Sequence, residues 1–321
     1  MNGRRAALVV GIDEYAHFSP LHGCVNDASA VEVLLSRNDD RSSNFQTRVL
    51  TSMRPQDVSS GALQDALQQL FANKDIDTAL FYFAGHGAVA MGNQGHLCTA
   101  DGTNGLPGIA LGHVLGLANA SPAPNRFVIL DCCHAGSVRD LVVAQGNAPL
   151  NEGVAILAAC RNDQYAQERG GRGLFTSLLC DALDGGAADV RGQVTVGSIY
   201  AYVDEILSAW DQRPLFLASL PRFIALRRAS STISDDHLRR LPNLFTEPVV
   251  PFALDPSFEH THPFAKEGNV EVFRILQQMR AARLVAPVDV EHMYDAAMQS
   301  RACRLTPLGQ FYWKQAKEGR I

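Results

Sequence analysis

Several features that mark particular protein classes are missing from this sequence of 321 residues. No apolar run reaches the roughly 18 residues that a membrane-spanning helix needs, so we expect no membrane insertion. The seven cysteines include no Cys-x-x-Cys pair, which argues against a structural zinc site. Their odd number and scattered positions argue against a disulfide framework. We therefore expect reduced thiols and a cytoplasmic location.

An excess of positive charge is also missing. The chain has 28 Lys and Arg against 33 Asp and Glu, which gives a net charge of −5. Nucleic-acid binding generally needs a basic face, so we do not expect nucleic acid as a partner. The N-terminal segment starts basic and turns apolar, but its apolar run is short and ends at Asp13-Glu14. It predicts a buried first strand rather than a secretion signal.

Residues 6 to 228 alternate short apolar runs with helical patterns. The runs are typical of strands that are buried on both faces of a mostly parallel sheet, and this alternation predicts a three-layer α/β/α sandwich. The predicted strands are 6–11, 47–51, 78–85, 126–131 and 154–159, and the predicted helices are 27–37, 59–73, 109–119, 173–183 and 196–210.

The pattern changes after residue 228. Residues 229–268 are rich in Ser, Pro, Asp and His, and they predict a linker or irregular wrap. Helical patterns follow, and the last of them has Thr306 as N-cap and Pro307 at the first helical position. We therefore expect a large domain over 1–228 and a small, mainly helical domain over 269–321. A winged-helix-like arrangement is one candidate for this small domain.

Reactive side chains follow two of the predicted strands. One strand leads into Gly85-His86-Gly87 and another into Asp131-Cys132-Cys133-His134. The carboxyl ends of parallel strands meet at one edge of a sheet. A thiolate there is a nucleophile, and an imidazole beside it can move protons. The joint pattern makes a catalytic Cys–His pair a candidate, and the alternative is a buried small thiol with an unrelated loop histidine.

The segments YFAGHG (82–87) and ILDCCHAGS (129–137) resemble the signature motifs of metacaspases and bacterial caspase-like peptidases (clan CD, C14 type). The resemblance covers about residues 5–228 and implies a cysteine endopeptidase. At one position the chain departs from the pattern, because Ala84 stands where many metacaspases have serine. Further similar segments are ALVVGIDEY (7–15), LHGCVNDA (21–28), AACRNDQYAQE (158–168), GLFTSLL (173–179) and RPLF (213–216).

The resemblance implies roles for the residues in these motifs. Cys133 corresponds to the nucleophile and His86 to its proton-transfer partner, whereas Cys132 is expected to pack inward. We expect the backbone N–H groups of Gly87 and Cys133 to form the oxyanion hole, which stabilises the tetrahedral intermediate.

The resemblance also implies a pocket for the substrate residue before the cut. Asp27 and Asp131 fall on the family's pocket positions, with Cys24 nearby. Two carboxylates suit the guanidinium fork, so we expect cleavage of proteins after Arg or Lys. The alternative is that Asp27 caps a helix beginning near residue 28 and Asp131 ties down a loop.

Calcium is a cofactor that the resemblance suggests, since many metacaspases depend on it. Asp101 and Asp140 occupy the positions of acidic ligands in the family, and carboxylate oxygens suit calcium. The alternative is that both are solvated loop residues.

Two other functions remain open at this point. The chain could be a catalytically silent caspase-like scaffold, or a regulator that binds partners or DNA through its C-terminal domain. Mixed charge over 289–320 favours protein docking over DNA. That domain also resembles, by analogy, the domains linked to bacterial caspase-like proteases in defence and cell-death systems, which suggests an activating or inhibitory protein partner.

Overall fold

The computed structural model describes residues 4–52, 54, 57–90, 94–132, 150–159, 172–207 and 213–321. The described chain divides into two compact units. Unit 1 comprises residues up to 188 together with 193–229, and unit 2 comprises 189–192 together with 230–321.

Unit 1 is built on a six-stranded sheet. Its strands are β1 (Arg5–Ile12), β2 (Gln46–Ser52), β3 (Thr78–Ala84), β7 (Asn125–Asp131), β8 (Val154–Ala158) and β10 (Leu215–Ser219). Their order is β10-β8-β7-β3-β1-β2, and all neighbours are parallel except β10, which runs antiparallel to β8. All five strands predicted from apolar runs are present.

Helices cover both faces of this sheet. They are α1 (Cys24–Ser36), α2 (Ser60–Phe71), α3 (Leu111–Ala120), α4 (Leu174–Asp181) and α5 (Val196–Leu207). Alternate residues of β3 enter two separate cores: Phe81 and Phe83 pack with α2 and α3, whereas Tyr82 packs with α1, α4 and α5. The predicted three-layer α/β/α sandwich is therefore confirmed.

The strand β2 differs from the prediction of strands buried on both faces. It lies at the edge of the sheet, and Arg48 and Val49 are exposed. An edge strand has one neighbour only, so its apolar residues need not be covered on both sides.

Two small sheets complete unit 1, and the apolar pattern did not predict them. They are formed by β4 (Gly87–Ala90), β5 (Gln94–Cys98) and β6 (Gly108–Ala110), and by β9 (Gln193–Thr195) paired with β11 (Ala225–Arg228). Strands of three to five residues, several rich in glycine, carry too little alternation to be recognised.

Unit 2 combines short helices with a three-stranded antiparallel sheet. The elements are α6 (Asp235–Arg239), α7 (Leu241–Leu244), β12 (Phe252–Ala253), α8 (Glu267–Ala281), β13 (Val285–Pro287), α9 (Met293–Met298), β14 (Ala302–Leu305) and α10 (Pro307–Lys317). Thr306 caps α10 by accepting from the Gly309 N–H at 3.1 Å, and Pro307 begins the helix, as the sequence predicts.

Residues 230–268, for which the composition indicates a linker, belong to unit 2. They contribute Leu238, Leu241 and Phe245 to its core, together with Leu254 and Phe258. Their polar residues are used as caps for very short helices, so no helical periodicity is visible in the sequence.

A search of the described residues finds no helix that is both long and apolar enough to cross a membrane.

Candidate active site

The carboxyl ends of β3 and β7 lie side by side. Ala84 is paired with Asp131 in the parallel register, and the Gly85 N–H donates to the Asp131 carbonyl at 3.2 Å. In the sequence His86 follows Ala84 by two residues, and Cys133 follows Asp131 by two. Cys133 itself lies outside the described residues, so the structure gives no geometry for it.

The His86 side chain has a defined orientation. Its Nε2 lies 2.9 Å from the carbonyl oxygen of Ser19. A carbonyl oxygen can only accept, so Nε2 carries a proton and donates it. In the neutral ring, Nδ1 is then the nitrogen with a lone pair, and it can accept a proton from a neighbouring group.

Aromatic side chains surround His86. The Tyr15 ring lies 4.9 Å from the imidazole and the Phe18 ring 6.2 Å. The Tyr15 hydroxyl also accepts from the His86 backbone N–H at 2.8 Å. Gly85 allows this approach, because a Cβ there would lie 2.7 Å from the Tyr15 hydroxyl.

The other described thiols are buried and unsuited to catalysis. Cys132 packs in a core cluster, as expected. Burial raises the pKa of Cys180 to about 12 and that of Cys303 to about 12. A thiol needs to ionise before it reacts, so these residues are poor nucleophiles near neutral pH.

Gly87 and Cys24 are the remaining predicted neighbours of the centre. Gly87 is the first residue of β4 and is paired opposite Leu97. Cys24 is buried at the first position of α1, where its backbone N–H donates to the Asp13 carboxylate at 2.8 Å. The roles of Gly87 in the oxyanion hole and of Cys24 in substrate binding stay predictions.

Asp27 does not cap its own helix. The α1 helix begins at Cys24, and Asp13 accepts from the N–H groups of its first two residues. Asp27 lies inside the first turn and is 1% exposed. Its Oδ2 accepts instead from the N–H of Gly173, the residue before α4, at 2.9 Å. The capping alternative for Asp27 is therefore wrong.

Asp131, the last residue of β7, lies close to Asp27 in the first turn of α1. A Cβ on Gly173 would lie 2.5 Å from the Asp131 Oδ2 and 3.0 Å from the Asp27 Oδ2. Only glycine fits between these two carboxylates. Asp131 also accepts from the Thr176 hydroxyl at 2.6 Å, and that hydroxyl lies 2.5 Å from the Tyr82 hydroxyl. The predicted pocket residues are thus adjacent, and both hold the first turn of α4.

Asp101 has a local structural role. Its Oδ1 accepts from the Thr99 hydroxyl at 2.7 Å and from the Ser60 N–H, at the start of α2, at 2.9 Å. Although partial burial alone would raise the pKa of Asp101, these hydrogen bonds lower it below its usual value. Asp140 lies outside the described residues.

The described acidic residues near Asp101 do not make a calcium site. Within the ranges that the structure describes, no group of three or more His, Cys, Asp or Glu side chains could hold a metal. Calcium takes six to eight oxygen ligands, so Asp101 and its described acidic neighbours do not form a site by themselves.

Sequence reasoning did not assign roles to several residues around the site. The Ser19 carbonyl is a backbone group and leaves no residue-type signal. Tyr15, Tyr82 and Thr176 stand in segments that resemble the family, but the apolar pattern predicts only a strand for Tyr82, a helix for Thr176 and a connection for Tyr15. The groups that bind their hydroxyls lie far away in the sequence: the His86 N–H binds Tyr15, and Tyr82 and Thr176 bind each other.

Comparisons with known proteins agree with this architecture. The Peptidase C14 family model, described as the caspase domain, matches residues 4–224. Metacaspase-1A of Neurospora crassa is 28% identical over 184 residues, which cover 49% of this chain and 39% of that protein. Metacaspase-1 of Mycosarcoma maydis is 28% identical over 217 residues, which cover 60% of this chain and 53% of the relative.

Solved structures give the same fold at low sequence identity. A Geobacter sulfurreducens protein superimposes with a TM-score of 0.54 at 17% identity, over 71% of this chain and 99% of its own. Caspase-1 of Spodoptera frugiperda gives 0.52 at 15% identity, over 72% of this chain and 92% of its own. The family match at residues 4–224 covers most of unit 1.

Proposed function

This chain belongs to the caspase-domain family of cysteine peptidases, and from that membership we propose that it is an active endopeptidase with Cys133 as nucleophile and His86 as its proton carrier. The observation that carries the proposal is the orientation of His86. Its Nε2–H is engaged by the Ser19 carbonyl, which leaves Nδ1 as the proton acceptor.

The proposed reaction has two steps. In the first, Nδ1 of His86 takes the thiol proton of Cys133, and the sulfur attacks the peptide carbonyl carbon. The tetrahedral intermediate collapses to a thioester as the imidazolium gives its proton to the leaving amine. In the second, His86 takes a proton from water, whose oxygen attacks the thioester and releases the acid and the thiol.

Fixed hydrogen bonds support this role for His86. An imidazole that is free to rotate would present either nitrogen to the thiol. The Ser19 carbonyl and the ring contact with Tyr15 restrict that rotation, which lowers the entropy lost in reaching the reactive geometry. The backbone N–H groups of Gly87 and Cys133 are the proposed donors to the oxyanion.

We assign the specificity to cleavage after Arg or Lys. The adjacent carboxylates of Asp27 and Asp131 support it, since two acceptors side by side match the guanidinium fork. An acidic substrate side chain would be repelled there. The protein partners are accordingly substrates with an exposed basic residue before the cut, and Cys24 is the proposed neighbour in this pocket.

The C-terminal unit is proposed to bind a regulatory protein rather than DNA. At the C-terminal end of α10, Lys314 and the following Arg320 lie 3.9 and 3.1 Å from the Glu318 carboxylate, and Lys317 lies over the Trp313 ring. The Glu318 carboxylate partly offsets this positive charge, and Leu308 and Phe311 on the same helix are exposed apolar side chains that suit a protein partner. A defence or cell-death role and a cytoplasmic location remain parts of this proposal.

The test is hydrolysis of fluorogenic peptides that differ only in the residue before the cut. We expect Arg to be cleaved fastest, Lys next, and Asp not at all. Cys133→Ala and His86→Ala should each lower kcat/KM by at least about 1,000-fold, because nucleophile and base act as a unit. Cys132→Ala is the matched control and should retain most activity.

Two results would contradict the proposal. Full activity of Cys133→Ala would remove the assigned nucleophile. A wild-type chain that cleaves none of the peptides, while keeping its fold, would favour the catalytically silent scaffold.

A further inference from the structure

A short chain of buried hydroxyls leads to one of the pocket carboxylates. Asp131, at the end of β7, is 7% exposed, Thr176 in α4 is 1% exposed and Tyr82 in β3 is fully buried. The Thr176 hydroxyl lies 2.6 Å from the Asp131 Oδ2 and 2.5 Å from the Tyr82 hydroxyl. Side chains from three elements of unit 1 are therefore linked in series, and Thr176 is the one that contacts the carboxylate oxygen.

The direction of these hydrogen bonds follows from the number of protons. An ionised carboxylate only accepts, so the Thr176 hydroxyl gives its single proton to Asp131. Thr176 then has only lone pairs to offer, and Tyr82 must donate to it. Burial, with the nearby charges of Asp131 and Asp27, raises the pKa of Tyr82 well above its usual value, so Tyr82 keeps the proton that it donates.

We propose that Thr176 and Tyr82 are positioning residues that fix Asp131 so that the pocket prefers Arg to Lys. This inference rests on the proposed function of the site. A planar guanidinium binds well only when the carboxylate has one fixed orientation, whereas an ammonium group with three rotatable donors tolerates a tilted one. Donors that hold one oxygen of Asp131 therefore favour arginine selectively.

The hydrogen bond from Tyr82 to Thr176 also strengthens the one from Thr176 to Asp131. Each hydroxyl that accepts a hydrogen bond becomes a better donor in the low-dielectric interior. Tyr82 does not reach Asp131 directly, so its effect passes through Thr176. We expect removal of the Thr176 hydroxyl to have the larger effect and removal of the Tyr82 hydroxyl the smaller one.

A structural role alone would give a different result. The Asp131–Thr176 contact also joins α4 to the sheet, and its loss could loosen the whole pocket. Such loosening would weaken Arg and Lys peptides alike. A change in the Arg-to-Lys ratio is the readout that separates positioning from simple support.

The experiment measures binding in the full chain that carries Cys133→Ala, so that peptides are not cleaved. Acetylated tripeptides ending in argininamide or lysinamide are titrated by calorimetry into the Cys133→Ala protein. The same titrations are made with Cys133→Ala proteins that also carry Thr176→Val, Thr176→Ser or Tyr82→Phe. Thr78→Val is the matched control, since Thr78 is also a buried threonine but begins β3 at the opposite end.

We expect Thr176→Val to weaken argininamide binding about tenfold and lysinamide binding only about twofold, and Tyr82→Phe to lower the Arg-to-Lys ratio about threefold. Thr176→Ser should restore the ratio, and Thr78→Val should leave it unchanged. An unchanged ratio in both Thr176→Val and Tyr82→Phe would overturn the inference. If Thr176→Val fails to fold in a circular dichroism melt, Tyr82→Phe decides alone.

Failure of the inference is distinguishable from failure of the proposed function. Hydrolysis by the wild type, measured separately, tests the enzyme. Cleavage after Arg combined with an unchanged ratio in the variants rejects only the positioning role. Selective binding of argininamide without any hydrolysis by the wild type rejects only the catalysis. Absence of argininamide binding to the Cys133→Ala chain rejects the pocket and the positioning role with it.

Discussion

The two neighbouring strand ends hold their functional side chains in different ways. His86, after β3, is oriented by a backbone carbonyl of Ser19 and by the Tyr15 side chain. Asp131, at the end of β7, is held by the Thr176 hydroxyl, which the Tyr82 hydroxyl contacts in turn. A backbone acceptor is present whatever the residue type, whereas hydroxyl donors can be lost by one substitution. The Ser19 contact should therefore tolerate substitution at that position, whereas the hydroxyl contacts of Tyr15 and Thr176 should not.

The largest difference between the two regions should come from removing the groups themselves. His86→Ala should abolish cleavage of every peptide, whereas Asp131→Asn should spare the chemistry and lower kcat/KM for Arg peptides about 100-fold. Asp27→Asn, which changes the neighbouring carboxylate, should act in the same direction. Steady-state kinetics on Arg and on uncharged peptides provide the measurement. Equal loss on both kinds of peptide would show that Asp131 acts in the chemistry instead.

A smaller effect is expected from Tyr15→Phe. The change keeps the ring but removes the acceptor of the His86 backbone N–H, and a half-buried donor without its partner costs about 1–3 kcal/mol. We expect kcat to fall about tenfold with KM nearly unchanged, because substrate binding is not touched. Tyr200→Phe, whose ring stacks on Phe216, is the matched control. A rise in KM without a change in kcat would contradict the positioning of His86 by Tyr15.

Asp101 tests whether a residue with a predicted metal role acts in stability instead. The pKa of Asp101 is lowered in the folded protein, so its charge stabilises the fold at pH 7, and this contribution is lost as the pH falls through the folded-state value. We expect Asp101→Asn to cost about 0.5 kcal/mol at pH 7, and the difference from the wild type to shrink as the pH falls below the ordinary pKa of aspartate. Thermal melts measure it, with Asp65→Asn as control, because Asp65 is exposed on α2, the helix whose first N–H Asp101 accepts.

Calcium gives the complementary measurement on the same residue. If Asp101 and Asp140 bind calcium as the resemblance implies, added calcium should raise both the melting temperature and the activity of the wild type and should do neither in Asp101→Asn. A wild type that responds neither to calcium nor to a chelator would leave Asp101 with its capping role only.

The smallest expected signal is alkylation of the buried thiols Cys180 and Cys303. Burial raises the pKa of Cys180 and of Cys303 to about 12, so neither should be alkylated by iodoacetamide at about pH 7.5 within the time that labels Cys133. Peptide mapping by mass spectrometry measures this. Labelling of Cys180 at the rate of an exposed thiol would mean that the core around α4 opens readily.

The sequence predicted the central strands and the reactive strand ends because both leave local signals. Leu80 and Phe81 belong to an unbroken apolar run, and His86 stands between two glycines. The contact between Tyr82 and Thr176 joins residues 94 positions apart, and no local pattern reports it. The Ser19 carbonyl leaves no signal either, since every residue has one. For Asp27 the sequence favours a pocket residue but leaves a cap as the alternative, and the long-range contact of Asp13 with the start of α1 decides against the cap.

The most direct test of the account is to identify the residue that a substrate-like reagent modifies. The wild type is treated with a peptidyl acyloxymethyl ketone that carries Arg next to the warhead, and the digested protein is mapped by mass spectrometry. The account predicts one adduct per chain, on Cys133, that is absent from His86→Ala and is not formed by the matching Asp reagent. An adduct on Cys132, or equal labelling by the Arg and Asp reagents, would contradict it.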